Sequence, residues 1–192
     1  MLINSRKRRK YINDYKINDE GKYQYYGTCY RWMEPDNRKR VLHGFWAAQL
    51  SALAGTIVCG LIPAPGVNYV PVLLIPYMAG IVLSIMSVFA LYNLSDEPDP
   101  VRDHVFNATV RRLPVLEMLN IITGLLCTAG EIYYLIAYGP EEDIAFGILF
   151  MVLEALIAFL SLRIFRGVRA LQWEKVENDE MKSSRLTIKS QS

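Results

Sequence analysis

The sequence predicts an all-α membrane protein with four transmembrane helices in two antiparallel hairpins and both termini cytoplasmic. Three observations carry that expectation. Four separate apolar runs, 41–62, 70–91, 113–138 and 144–165, each reach the length of about 20 residues that crosses a bilayer core of about 30 Å. The runs are continuous, whereas a β-barrel would alternate apolar and polar positions. The turns 63–69 and 139–143 contain no Lys or Arg, so every basic residue falls on one side of the spans. The positive-inside rule assigns that side to the cytoplasm.

The chain divides into three units: a basic, tyrosine-rich cytoplasmic segment at 1–40, a four-helix transmembrane domain at 41–166, and a cytoplasmic helical stem and disordered tail at 167–192. The first apolar run starts some forty residues in and is too long for a signal-peptide core, so cleavage is not expected. In the first unit Arg6, Lys7, Arg8, Arg9 and Lys10 are placed to meet anionic inner-leaflet lipid, each basic residue contributing about 1 kcal/mol. Nucleic acid is not expected as a partner. The stretch 22–32, rich in Tyr and ending on Trp32, reads as an interfacial anchor or a short hairpin, or as a strand that docks a partner.

The first span carries rows of small residues at a spacing of four. Gly44, Ala48, Ala52, Thr56 and Gly60 form one row, and Gly55 lies in the adjacent one. Small side chains let helix backbones approach closely in lipid, so this face is expected to pack against a helix of the bundle or of another chain. Gln49 is placed to donate across it. Pro63, Pro65 and Gly66 reverse the chain, Pro71 suits a helix start, and Pro76 is expected to kink the second span. The tyrosine-rich head ending in Tyr30-Arg31-Trp32, the Pro63-Ala64-Pro65-Gly66 turn and Ile75-Pro76-Tyr77 resemble a family of bacterial four-span integral membrane proteins. That resemblance implies the four-span fold and carries over no functional residue.

Between spans two and three, Asp99 and Pro100 read as the cap and first turn of a short interfacial helix over 100–112, with Val101, Val105, Phe106 and Val110 on its apolar side. After the fourth span the helix is expected to run on through residues 172–175. Cys29, Cys59 and Cys127 are odd in number and widely spaced, which points away from a disulfide framework or a zinc site. His43 and His104 have no partner at ligand spacing.

The polar residues inside the spans are the candidate site. An ionisable group within a span costs at least about 2.5–3.5 kcal/mol, so it pairs, faces the bundle interior or becomes neutral. A hairpin turning near 140–141 places Glu117 level with Arg163, which predicts a structural ion pair. Glu131 and Glu154 differ by about 6 Å in depth; Glu117, Gly124, Thr128 and Glu131 share one face of the third span, and Gly147, Glu154 and Ser161 repeat by sevens on the fourth, so each span carries a polar stripe placed to meet the other. Two carboxyls in one low-dielectric site cannot both ionise cheaply, so at least one is expected to be protonated. No phosphate-binding glycine loop, metal-ligand spacing or nucleophile–base set is present, so no cofactor, metal or enzymatic activity is expected. The expected role is a structural, accessory or partner-binding subunit of the bacterial plasma membrane, acting with a membrane-protein partner or as a homo-oligomer. The alternative is a small oligomeric proton- or cation-linked transporter using Glu131 and Glu154.

Overall fold

Four long helices dominate a computed structural model that describes residues 15–17, 23–25, 27–64, 66, 70–138 and 144–176. They are α1 (Arg38–Cys59), α2 (Pro71–Asp96), α4 (Leu113–Tyr138) and α5 (Ile144–Ala170), with a short α3 (Asp103–Ala108) between the second and third. Each of the four is long and apolar enough to cross a membrane. The helices alternate in direction and close a ring in which α1 packs on α2, α2 on α4, α4 on α5, and α5 back on α1. The α4–α5 hairpin makes the most extensive contact.

Buried positions recur every three and four residues. On α5 they are Gly147, Phe150, Glu154, Ile157, Ser161, Ile164 and Val168. On α1 the same rhythm runs through Leu42, Phe45, Gln49, Ala52, Thr56 and Cys59. An average step of 3.5 residues keeps one seam turned inward along the whole helix, as in left-handed bundles. The rest of each helix is apolar and exposed: only 17–33% of each span's most apolar window is buried. Side chains such as Ile57, Ile75, Phe89, Tyr133 and Ile136 point away from the protein. That surface requires hydrocarbon around it, so the chain is a multi-pass membrane protein in contact with the bilayer.

The small-residue face of α1 is only partly used. Ala48, Ala52 and Thr56 lie in the core, and a Cβ on Gly55 would stand 3.1 Å from Ile157 of α5. Gly60 approaches Tyr77, whereas Gly44, expected on the same face, has no neighbour within 4 Å of its would-be Cβ. At this depth the inward side of α1 is taken by Leu42 and Phe45, and Gly44 lies off it. Pro71 is the first residue of α2 as expected, and α2 runs unbroken from there to Asp96, with Pro76 inside it.

One end of the bundle carries a β-sheet cap, of which the residues alone indicated at most a hairpin or strand within 22–32. Strand β3 (Cys29–Trp32) lies between β4 (Val101–Arg102) and β5 (Trp173–Val176), antiparallel to both. A separate hairpin pairs β1 (Tyr15–Ile17) with β2 (Tyr23–Tyr25). Two expectations are corrected here. The helix expected over 100–112 is confined to Asp103–Ala108, because Val101 and Arg102 pair with Tyr30 and Cys29 instead. The stem expected to continue through 172–175 ends at Ala170, because Trp173 pairs with Trp32 and Val176 with Cys29. Asp99, expected to cap that helix, accepts the Trp32 backbone N–H at 3.4 Å. In each case a strand partner distant in sequence satisfies the backbone and brings an aromatic side chain under cover.

Candidate functional site: a buried polar column

The bundle interior alternates apolar and polar layers, set by the inward seam of each helix. At the cap end Leu42, Leu91, Leu94, Leu113 and Ile164 form a closed apolar layer. Next come Glu117, Ser87 and Ser161, then Asn120, Ser84 and Gln49, then Glu154 with Cys59 and Cys127. Glu131 closes the column at the far end. From Glu117 to Glu131, α4 rises about 21 Å.

Glu131 is fully buried, and its Oε1 accepts the backbone N–H of Gly66 at 3.2 Å. That bond ties the turn after α1 to the end of α4. A Cβ on Gly147 would lie 3.0 Å from the same oxygen, so glycine there leaves the room the carboxylate occupies. Glu154, 4% exposed, sits one layer deeper against Gly124, whose Cβ would meet its Oε2 at 3.3 Å. The Cys59 thiol faces the same carboxyl. The two glutamates expected to share a site thus have different neighbours, each in a niche made by glycine. Thr128, expected to join them, is half-buried and donates its hydroxyl to the Gly124 carbonyl of its own helix at 2.9 Å. A glycine one helix across from a glutamate at similar depth was the signal in the sequence that could have located both niches.

The expected ion pair between Glu117 and Arg163 is not formed. Glu117 is fully buried, while Arg163 is exposed. Depth agrees but direction does not: Ser161 takes the inward position on α5, and two residues further on the helix has turned about 200°. Ser87, Ser161 and Asn120 face the Glu117 carboxyl instead. Neither of its oxygens makes a hydrogen bond of good geometry, and Ser87 Oγ and Asn120 Nδ2 are likewise without partners.

Two other interior polar side chains donate across helix interfaces. Tyr77 donates its hydroxyl to the Thr56 carbonyl at 2.7 Å, linking α2 to α1. Gln49 donates to the Ser84 carbonyl at 3.3 Å, across the interface expected for it. A cavity of about 10 Å³ lies between these layers, lined in part by Thr56, Ser84, Asn120, Thr123 and Glu154. Among the described residues no three His, Cys, Asp or Glu side chains are arranged to hold a metal ion.

The cap is the second polar centre. Glu97, just past α2, binds Arg102 in a two-point ion pair, Nε to Oε1 and Nη2 to Oε2, the latter at 2.8 Å. The Arg102 hydrogen bonds hold the Glu97 carboxyl below its ordinary value, against the opposing effect of burial. Arg38 donates to the Leu94 carbonyl at 3.2 Å and to that of Glu97, so the start of α1 caps the end of α2. Tyr30 stacks on Phe106 at 3.9 Å, and Phe106 meets Trp173 edge-on at 5.2 Å. Burial raises the Cys29 thiol from its ordinary value. Arg6, Lys7, Arg8, Arg9 and Lys10 lie outside the described residues, as do the 139–143 turn and the 177–192 tail.

No protein-family model, curated protein or solved structure matches the chain. The four long apolar helices are those of a four-span membrane protein, and no family is identified.

Proposed function

We propose that this chain is a docking subunit of the bacterial plasma membrane, whose four spans hold the β-sheet cap at the cytoplasmic surface for a partner protein. The observation that carries this reading is the position of β5. It is an edge strand of the cap, and among the described residues no strand pairs with its far side. Exposed Glu174 and Lys175 lie along it. An open edge offers backbone donors and acceptors to an added strand, and the added strand's side chains then set specificity.

The basic residues around the cap support its placement in the cytoplasm. Arg38, Lys39, Arg40, Arg166 and Arg169 all lie at the cap end of the bundle, the side that positive charge marks as inner. The reading assigns no enzymatic step to any residue. Transport through Glu131 and Glu154 requires an aqueous route to both, and they are 0% and 4% exposed, so the docking reading has the better support.

A photo-crosslinking side chain in place of Glu174 tests the proposal in intact cells, with the same group at lipid-facing Tyr133 as control. The docking reading predicts one discrete protein adduct from position 174, absent from position 133, and the same protein co-purifying without irradiation. An adduct of twice the chain's mass would make the partner a second copy. Lipid adducts alone at both positions would contradict the proposal.

A further inference from the structure

We propose that Glu117, Ser87, Ser161 and Asn120 form an intramembrane binding site for one small monovalent cation, of which sodium is the archetype. This inference is independent of the docking reading and would stand without it.

The site is built from three helices. Glu117 and Asn120 project from α4, Ser87 from α2 and Ser161 from α5. All four are at least 96% buried. Both Glu117 oxygens and Ser87 Oγ lack hydrogen-bond partners of good geometry. Ser87, Ser161 and Asn120 face the Glu117 carboxyl, but neither of its oxygens closes a hydrogen bond of good geometry, so their burial is incompletely offset. A structural role would pair them, as the Tyr77 hydroxyl is paired with the Thr56 carbonyl. A guest that accepts electron density from several oxygens at once removes that cost.

Charge identifies the guest. The set holds one carboxylate, two hydroxyls and one amide, and the exposed Arg163 does not reach it. A single positive charge makes the layer neutral, which is the state a bilayer core tolerates best. Calcium and magnesium would leave a net charge, and protein calcium sites commonly employ several carboxylates. Hydroxyl and carboxylate oxygens are hard ligands, suited to a small, hard cation rather than a soft metal. When the cation binds, it displaces the carboxyl proton, and the net charge of the layer stays at zero.

The surroundings of the site are apolar on one flank and polar on the other. Toward the cap the layer of Leu42, Leu91, Leu94, Leu113 and Ile164 seals it. Away from the cap, Asn120 also borders the cavity shared with Ser84, Thr123 and Glu154. Polar groups therefore lead from Glu117 toward the opposite end of the bundle and stop at the apolar seal.

The test is equilibrium binding of radioactive sodium to the purified full chain in detergent, together with its melting in sodium, lithium, potassium and choline chlorides. The proposal predicts one saturable sodium per chain, and melting at least about 3 °C higher in sodium than in choline at concentrations well above the dissociation constant. Glu117→Gln abolishes both effects. Should that variant fail to fold, Ser87→Ala and Ser161→Ala serve in its place, each weakening sodium binding by about tenfold or more. Glu131→Gln, in a different layer, keeps the binding. Absence of saturable binding, with identical melting in all four salts, would show that Glu117 holds only a proton and overturn the proposal. Sodium binding that survives Glu117→Gln would overturn it equally, since the site would then lie elsewhere.

Discussion

Glu97 and Glu117 show how differently one side-chain type behaves at two depths. Glu97 lies beyond the end of a span, and its carboxylate is held ionised by Arg102. Its folded-state value is depressed, so its contribution is present above the ordinary carboxyl value of 4.5 and lost as pH falls through the lower folded value. Tryptophan fluorescence of the cap should therefore change below about pH 4.5. Glu97→Gln should shift that change and cost about 1.5–3 kcal/mol at pH 7, the worth of hydrogen bonds to a charged group. Inside the bundle, Tyr77→Phe should cost about 1 kcal/mol in detergent melting by removing the 2.7 Å bond to Thr56. Overpacking is testable on α1. Ala52→Leu enters a fully packed contact and should cost about 1–3 kcal/mol. Gly44→Ala meets open space, and Leu50→Ala removes a side chain that is 51% exposed, so both should be nearly neutral.

At the level of elements, the four helices are held by a 3.5-residue inward seam, and the cap by paired aromatics on strands far apart in sequence. Trp32 is 3% exposed and contacts Trp173 at 5.1 Å. Trp32→Ala should cost about 3–5 kcal/mol within the cap, yet leave the bundle's helix content unchanged by circular dichroism. The helices were legible from continuous apolar runs because a span must satisfy its backbone within itself. The cap was not, because Tyr30 pairs with Lys175 across most of the chain, and nothing local in residues 172–175 opposes helix. Within the column, the inward positions of Gly147, Glu154 and Ser161 followed from their spacing of seven. Pairing Glu117 with Arg163 failed because depth was read and rotation about the helix axis was not. The niches of Glu131 and Glu154 needed the contacts of Gly66, Gly147 and Gly124, which join elements whose mutual rotation only the fold supplies.

The whole molecule is an asymmetric object: a lipid-facing bundle, closed by an apolar layer at one end, with a structured polar cap beyond it. Basic residues gather at that cap, and the opposite turns carry none. The proposed docking surface depends on this asymmetry, because it must face the cytoplasm to meet a cytoplasmic partner. Labelling of single cysteines with a membrane-impermeant maleimide measures it directly. The native Cys29, Cys59 and Cys127 are buried and can be replaced by serine or alanine in the background chain. Leu61→Cys, at the end opposite the cap and 79% exposed, should label in intact spheroplasts. Asp99→Cys and Glu174→Cys, both exposed at the cap end, should label only after permeabilisation. Labelling of position 174 in sealed spheroplasts, with position 61 protected, would place the cap outside the cell and contradict the account.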